Sequence, residues 1–146
     1  MSLRTSRRRT GSRPDRCRRG DDNGYVDIDA HTLQHVRYPN VFALGDAGST
    51  PNSKTGAAVR KQAPVVAANL DAFLRGRPLP AAYDGYSSCP IVTSSTAMLL
   101  AEFDYSMQMK PTFPILDPAK PHRPYWYLKK HGLPFMYWNL MLKGLA

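Results

Sequence analysis

Tyr25-Val26-Asp27-Ile28-Asp29 alternates apolar and polar residues with the two-residue period of a half-buried strand. His31 to Pro39 then reads as a connecting loop with a turn at Tyr38-Pro39-Asn40. Val41-Phe42-Ala43-Leu44 is a continuous apolar run of strand length, suited to a strand covered on both faces, and Gly45-Asp46 ends it. After the polar stretch Ala47 to Ser53, residues Val59, Ala63, Val66, Ala67, Leu70 and Leu74 fall at helical spacing, with Gly76 as the stop. The pattern predicts a helix that begins near Ser53 or Lys54 and carries Pro64 inside it, a residue that kinks a helix or is tolerated at a cost.

A second unit follows Pro78 and Pro80. Cys89 to Thr93 and Ala97 to Tyr105 read as two strands of a hairpin around a turn at Ser94-Ser95, with Glu102 and Asp104 alternating with Phe103 and Tyr105. Five prolines between Met107 and Pro124 predict an extended connector without regular structure. From Tyr125 to Leu142 the chain is rich in aromatic residues, with Lys129, Lys130 and Lys143 interspersed. The expected organisation is an arm over 1–20, a strand-and-helix unit over 21–77, a hairpin unit over 78–107, and a connector with a tail over 108–146.

Charge changes this picture only at the start of the chain. Eight arginines against the single Asp15 place +7 of the formal +9 within the first twenty residues, so the body is nearly neutral and a uniformly basic nucleic-acid-binding domain is disfavoured, the alternative being a non-enzymatic basic protein that holds nucleic acid through the arm. With almost no apolar residues, the arm is expected to stay disordered. It is open to three readings: a phosphate-binding arm, an organelle transit peptide lacking an amphipathic face, or sequence without selected function. Two cysteines, Cys17 and Cys89, do not make a disulfide framework, and the four histidines are too scattered to form a metal cluster. The longest apolar stretch, Leu133 to Leu142, is about half the roughly 20 residues of a spanning helix.

The chemistry indicated by these elements gathers after the buried strand. In open α/β sheets ligands collect at the carboxyl ends of strands, which places Asp46 at such a position with Gly45 allowing close approach. The next helix turns its free N–H groups and positive dipole end toward the same space.

The string from Gly24 to Asp29, then Leu33-Gln34, then Tyr38 to Asp46, resembles the C-terminal FAD-contacting segment of flavoproteins with two dinucleotide-binding domains. Four further stretches narrow the match: Ser53 to Val59, Tyr83 to Thr93, Leu100 to Tyr105 and Pro134 to Asn139. Together they resemble the C-terminal part of the sulfide:quinone oxidoreductase family, over a region that runs from about Asn23 to the end. The resemblance implies an α/β fold: the terminal strand and helix of an FAD-binding domain, a β-hairpin unit and an amphipathic membrane-facing tail. It implies that Gly45 and Asp46 meet the ribityl side of FAD, and that Lys54, Thr55, Gly56, Ala57 and Ala58 face the flavin.

The same resemblance implies that Cys89 handles sulfur, that sulfide and a quinone are the substrates, and that the tail rests on a membrane surface. The expected location is peripheral on the bacterial cytoplasmic membrane, with the mitochondrial inner membrane as the alternative. Another membrane flavoprotein, such as a type II NADH:quinone oxidoreductase, would share Gly45-Asp46 without needing Cys89. No GxGxxG occurs in the chain, and Cys17 lies outside the matched region. The segment is therefore expected to be inactive alone, and the abrupt change of texture near Asp21 suggests an arm of out-of-frame or mis-started translation.

Overall fold

The computed structural model describes residues 20–145. The expectations about the arm, and Cys17, lie outside the described residues. In chain order the described residues form a short 3-10 turn at Gly45–Ala47, helix α1 (Gly56–Leu74), strands β1 (Ser87–Val92) and β2 (Met98–Phe103), helix α2 (Arg123–Tyr127), a π turn at Leu128–Gly132, helix α3 (Leu133–Asn139) and a 3-10 turn at Met141–Lys143. The class is α/β, as expected.

The two expected N-terminal strands do not form regular strands. Val26, Ile28, Gln34 and Phe42 each make only an isolated bridge, to Gly48, His35, Phe42 and Gln34 in turn, apart from a further bridge between Val26 and Gly20. A ladder needs a neighbour in register over several residues, and here the segment folds back on itself in tight turns. Asp29 enforces one of them: its carboxylate accepts from the N–H groups of His31 and Thr32 and from the Thr32 hydroxyl. Leu33, in the left-handed region at φ 61° and fully buried, then sends its N–H back to Asp29 O. Ile28, Leu33, Ala43 and Tyr83 form the core of this unit, with Val26, Val65, Val66, Tyr86 and Tyr105 packed around it.

Helix α1 starts at Gly56, two or three residues later than the Ser53 or Lys54 expected. Thr55 is its N-cap, with extended backbone and a hydroxyl that accepts from Ala58 N at 3.3 Å. At the other end Gly76 adopts φ +64°, its N–H reaches Phe73 O, and Arg77 N reaches Ala72 O, which is the paired closure of a Schellman motif. Pro64 is accommodated inside the helix.

The buried face of α1 is a correction to the apolar stripe. Ala63, Ala67, Leu70 and Leu74 are exposed, and the helix instead buries Ala58, Gln62, Asn69 and Ala72. These positions repeat at helical spacing, but two of them are polar. Asn69, without any exposure, donates through Nδ2 to Thr32 O and Ala81 O and accepts at Oδ1 from Ala81 N. One side chain thereby ties the early loop to the segment that leads into the hairpin.

The hairpin forms where expected. β1 and β2 are antiparallel, with Ser87 opposite Phe103, Cys89 opposite Ala101 and Val92 opposite Met98. β2 ends before Asp104 and Tyr105, because the Tyr105 hydroxyl is drawn 2.6 Å from Ala30 O and its ring fills the space beside Gly85. Gly85 is needed there: at φ +85°, an added Cβ would lie 2.3 Å from the Tyr105 ring.

Glu102 on β2 is buried. Its carboxylate accepts from Tyr86 Oη at 2.5 Å and from both N and Oγ1 of Thr112 at 2.6 Å. The connector has no helix or strand ahead of α2, as expected, and is tied to the hairpin: Lys110 N bonds Glu102 O, and Met109 and His122 bridge to Phe103 and Met98 along the outer edge of β2.

Candidate functional site

Gly45 and Asp46 sit in the 3-10 turn that follows the apolar run. Gly45 has φ +61°, an added Cβ would lie 2.9 Å from Val59 Cγ2, and its N–H donates to Gln62 Oε1 at 2.7 Å. The turn is thus bolted to the second turn of α1 by a buried amide, and Asp46 projects from it exposed. Neither Gln62 nor Asn69 is signalled by hydropathy. Their spacing of seven on the same helix face as Ala58 and Ala72 is the pattern that marks them.

The segment that precedes α1 is shaped by three contacts. Lys54 Nζ lies 2.5 Å from Gly48 O, 3.3 Å from Thr50 O and 4.4 Å from the centroid of the Tyr25 ring. The ammonium therefore holds its own loop against the early strand segment. Thr55 supplies the cap, Ala58 is buried, and Gly56 is exposed with open space where a Cβ would stand. The N–H groups of the first turn leave donors free of intrahelical partners, as at any helix start.

Asn52, three residues before the cap, is buried and donates through Nδ2 to Tyr83 Oη at 2.7 Å. Among the described residues its Oδ1 is the buried side-chain oxygen left without a hydrogen-bond partner. Such an acceptor costs about 1–3 kcal/mol unless another group meets it. Tyr83 Oη in turn donates to Tyr86 O. Burial, the largest cause, pushes the Tyr83 phenol up to about 12, and burial likewise raises Tyr105, whose ring meets Tyr83 edge-on at 5.7 Å.

Cys89 is exposed on β1, between the buried Ser88 and Pro90, and carries a free thiol. The structure brings Gly45, Asp46 and the start of α1 into one packed group, and α1 packs on β1, the strand that bears Cys89. Among the described residues no group of three His, Cys, Asp or Glu side chains converges as metal ligands.

The sequence alignments cover most of this arrangement. Mitochondrial sulfide:quinone oxidoreductases from Schizosaccharomyces pombe and Mus musculus are each 43% identical to the chain, over 85% and 91% of it, and that from Dictyostelium discoideum is 46% identical over 83%. The chain matches the C-terminal part of sulfide:quinone oxidoreductases. It spans 26–30% of the length of these three relatives. An FAD-dependent oxidoreductase of Flammulina velutipes, FVFD30, is 35% identical over 49% of the chain.

No protein-family model matches the chain. Among solved structures, a chain in the cryo-EM structure of the Tetrahymena thermophila mitochondrial ATP synthase aligns with a TM-score of 0.71 and 29% identity, over 80% of this chain and 28% of that one. The fold over most of the chain therefore recurs in a solved protein.

Proposed function

We propose that the chain is the C-terminal portion of a flavoprotein that oxidises sulfide and passes electrons to a quinone. The observation that carries this reading is the 43–46% identity to sulfide:quinone oxidoreductases over 83–91% of the chain. Asp46 is exposed on a turn fixed to α1, and the start of α1 offers backbone N–H groups beside the open space at Gly56. These features fit one side of an FAD site: a carboxylate to accept from ligand hydroxyls, and a positive helix end to favour negative charge. Lys54 contributes by holding the loop that leads into the helix, and Thr55, Ala57 and Ala58 fix the first turn.

Bound FAD would supply acceptance of two electrons from sulfur and their delivery to a quinone. Cys89, exposed and free, would hold the sulfur during oxidation; its accessibility on β1 meets the first requirement of such a role. The tail would rest on a membrane surface through exposed aromatic residues such as Phe135 and Trp138 beside its lysines; no helix of the described residues is long and apolar enough to cross a membrane. Relatives whose names place them in mitochondria favour the mitochondrial inner membrane over the bacterial membrane expected first.

Because the chain spans less than a third of each of these relatives, it is expected to be inactive and colourless when purified by itself. The visible absorption spectrum tests this. A flavin band that persists through gel filtration would overturn the expectation that this segment cannot hold FAD alone.

A further inference from the structure

Charge is segregated along the body of the chain. Residues 21–117 hold ten acidic against seven basic side chains, whereas no acidic residue follows Asp117 and Lys120, Arg123, Lys129, Lys130 and Lys143 all do. The tail that carries this charge is nearly continuous helix, from α2 through the π turn and α3 to the final 3-10 turn. Pro134 explains the π turn. It has no N–H to return to Lys130 O, and its ring crowds that carbonyl, so the chain widens and Leu133 N bonds Leu128 O instead.

The tail has two faces. Tyr125 is buried against Phe113 and His122, and Met136 Sδ lies 4.0 Å from Arg60 on α1, which docks the inner face on the body. The outer face is Tyr127, His131, Phe135, Trp138 and Leu142, at spacings of four, four, three and four; all five are exposed, Phe135 at 62% and Trp138 at 65%. The wider turn keeps Tyr127 and His131 in line, their rings stacked with centroids 6.4 Å apart. Lys130 in the π turn and Lys143 in the final 3-10 turn stand exposed beside this stripe, with Lys130 Nζ 4.7 Å from the Trp126 ring centroid, while the half-buried Lys129 falls in the row of Tyr125 on the inner side.

We propose that the tail is a binding surface for anionic phospholipid: the stripe from Tyr127 to Leu142 enters the interface while Lys130 and Lys143 meet headgroup phosphates. The inference rests on the membrane-facing reading above and adds to it the class of lipid. Charge complementarity selects this occupant. A zwitterionic surface would accept the rings but leave the acid-free basic tail without counter-charge, and a soluble acidic partner would not use the aromatic stripe. Each lysine near an anionic surface strengthens binding roughly fivefold, and the rings anchor at headgroup depth.

Trp126 and Trp138 are the only tryptophans of the chain, so tryptophan emission reports the tail, and comparing variants that all keep the arginines of 1–20 separates the tail's lysines from the arm. The full chain is titrated with vesicles of phosphatidylcholine alone and with vesicles of phosphatidylcholine and phosphatidylglycerol. A blue shift that saturates at much lower lipid with the anionic vesicles is expected, together with about 25-fold weaker binding for the Lys130→Gln, Lys143→Gln double variant. Phe135→Ala should weaken binding to the anionic vesicles as well, with circular dichroism unchanged in both variants.

Equal shifts with both vesicles, or a double variant that binds as the parent does, overturn the anionic preference and leave the interfacial tail standing. Emission unmoved by either vesicle assigns the face to a protein surface and overturns the proposal together with the membrane reading.

Discussion

Two tyrosines and a glycine carry much of the local architecture around the start of the hairpin. Tyr83 accepts from Asn52 and donates to Tyr86 O, while Tyr105 donates to Ala30 O and fills the space that Gly85 leaves. Burial holds the Tyr83 phenol neutral up to about 12, whereas an unfolded tyrosine ionises near 10. Stability from this group is complete below the unfolded value and falls as pH rises toward the folded one. Alkaline unfolding followed by circular dichroism should therefore steepen between these values, and Tyr83→Phe should remove that part of the pH dependence.

Asp29 works in the opposite direction. The Thr32 N–H, first among its causes, lowers the carboxyl below the usual carboxylate range. Its contribution is present above the unfolded value and is lost as pH falls through the folded one. Gly85→Ala combines an unfavourable φ with a 2.3 Å overlap and should cost roughly 2 kcal/mol or more, read as a lower urea midpoint. A midpoint that does not move would show that the Tyr105 ring yields without cost.

At the scale of elements, α1 shows why apolar periodicity located the helix but misassigned its face. Its inner surface is shared by small residues and two amides, because the segments packed on it expose backbone groups that need partners. Hydropathy does not register an asparagine whose whole amide is used. Asn69→Leu keeps similar volume but strands Thr32 O, Ala81 O and Ala81 N, and should cost about 2–4 kcal/mol in chemical denaturation. Thr55→Ala, which deletes only the cap, should cost about 1 kcal/mol.

The hairpin was legible because its alternation and turn lie close together in sequence. The strand character of Tyr25–Asp29 and Val41–Leu44 was legible too, but a strand is completed by its neighbours, and these segments meet only each other and their own turns. The alternation of Glu102 and Asp104 with Phe103 and Tyr105 does not reveal that Glu102 is buried. Its partners Tyr86 and Thr112 lie 16 and 10 residues away, outside the window that a local pattern can sense.

For the whole molecule, the aligned motifs and the geometry bear on different parts of the proposal. Identity to sulfide:quinone oxidoreductases runs through most of the chain, while the fold shows how Gly45 and Asp46 are fixed to α1 and how β1 presents Cys89. The exposed faces of α1 and of the tail follow opposite logic. Ala63, Ala67, Leu70 and Leu74 form an uncharged stripe suited to another protein surface, and the tail is an aromatic stripe flanked by lysines. In the proposed flavoprotein the dipole end of α1 and the carboxylate of Asp46 would form one side of the FAD site.

The direct test replaces the matched C-terminal segment of the Schizosaccharomyces pombe relative with residues 21–146 of this chain and measures quinone reduction driven by sulfide. The account predicts a flavin-containing chimera that reduces quinone with sulfide, and a Cys89→Ser version that keeps the flavin band but loses at least about a hundredfold in rate, an order typical for removal of a group acting in the chemical step. A Cys89→Ser chimera with undiminished sulfide-dependent activity would contradict the assignment of this segment as the sulfur-handling part of the enzyme.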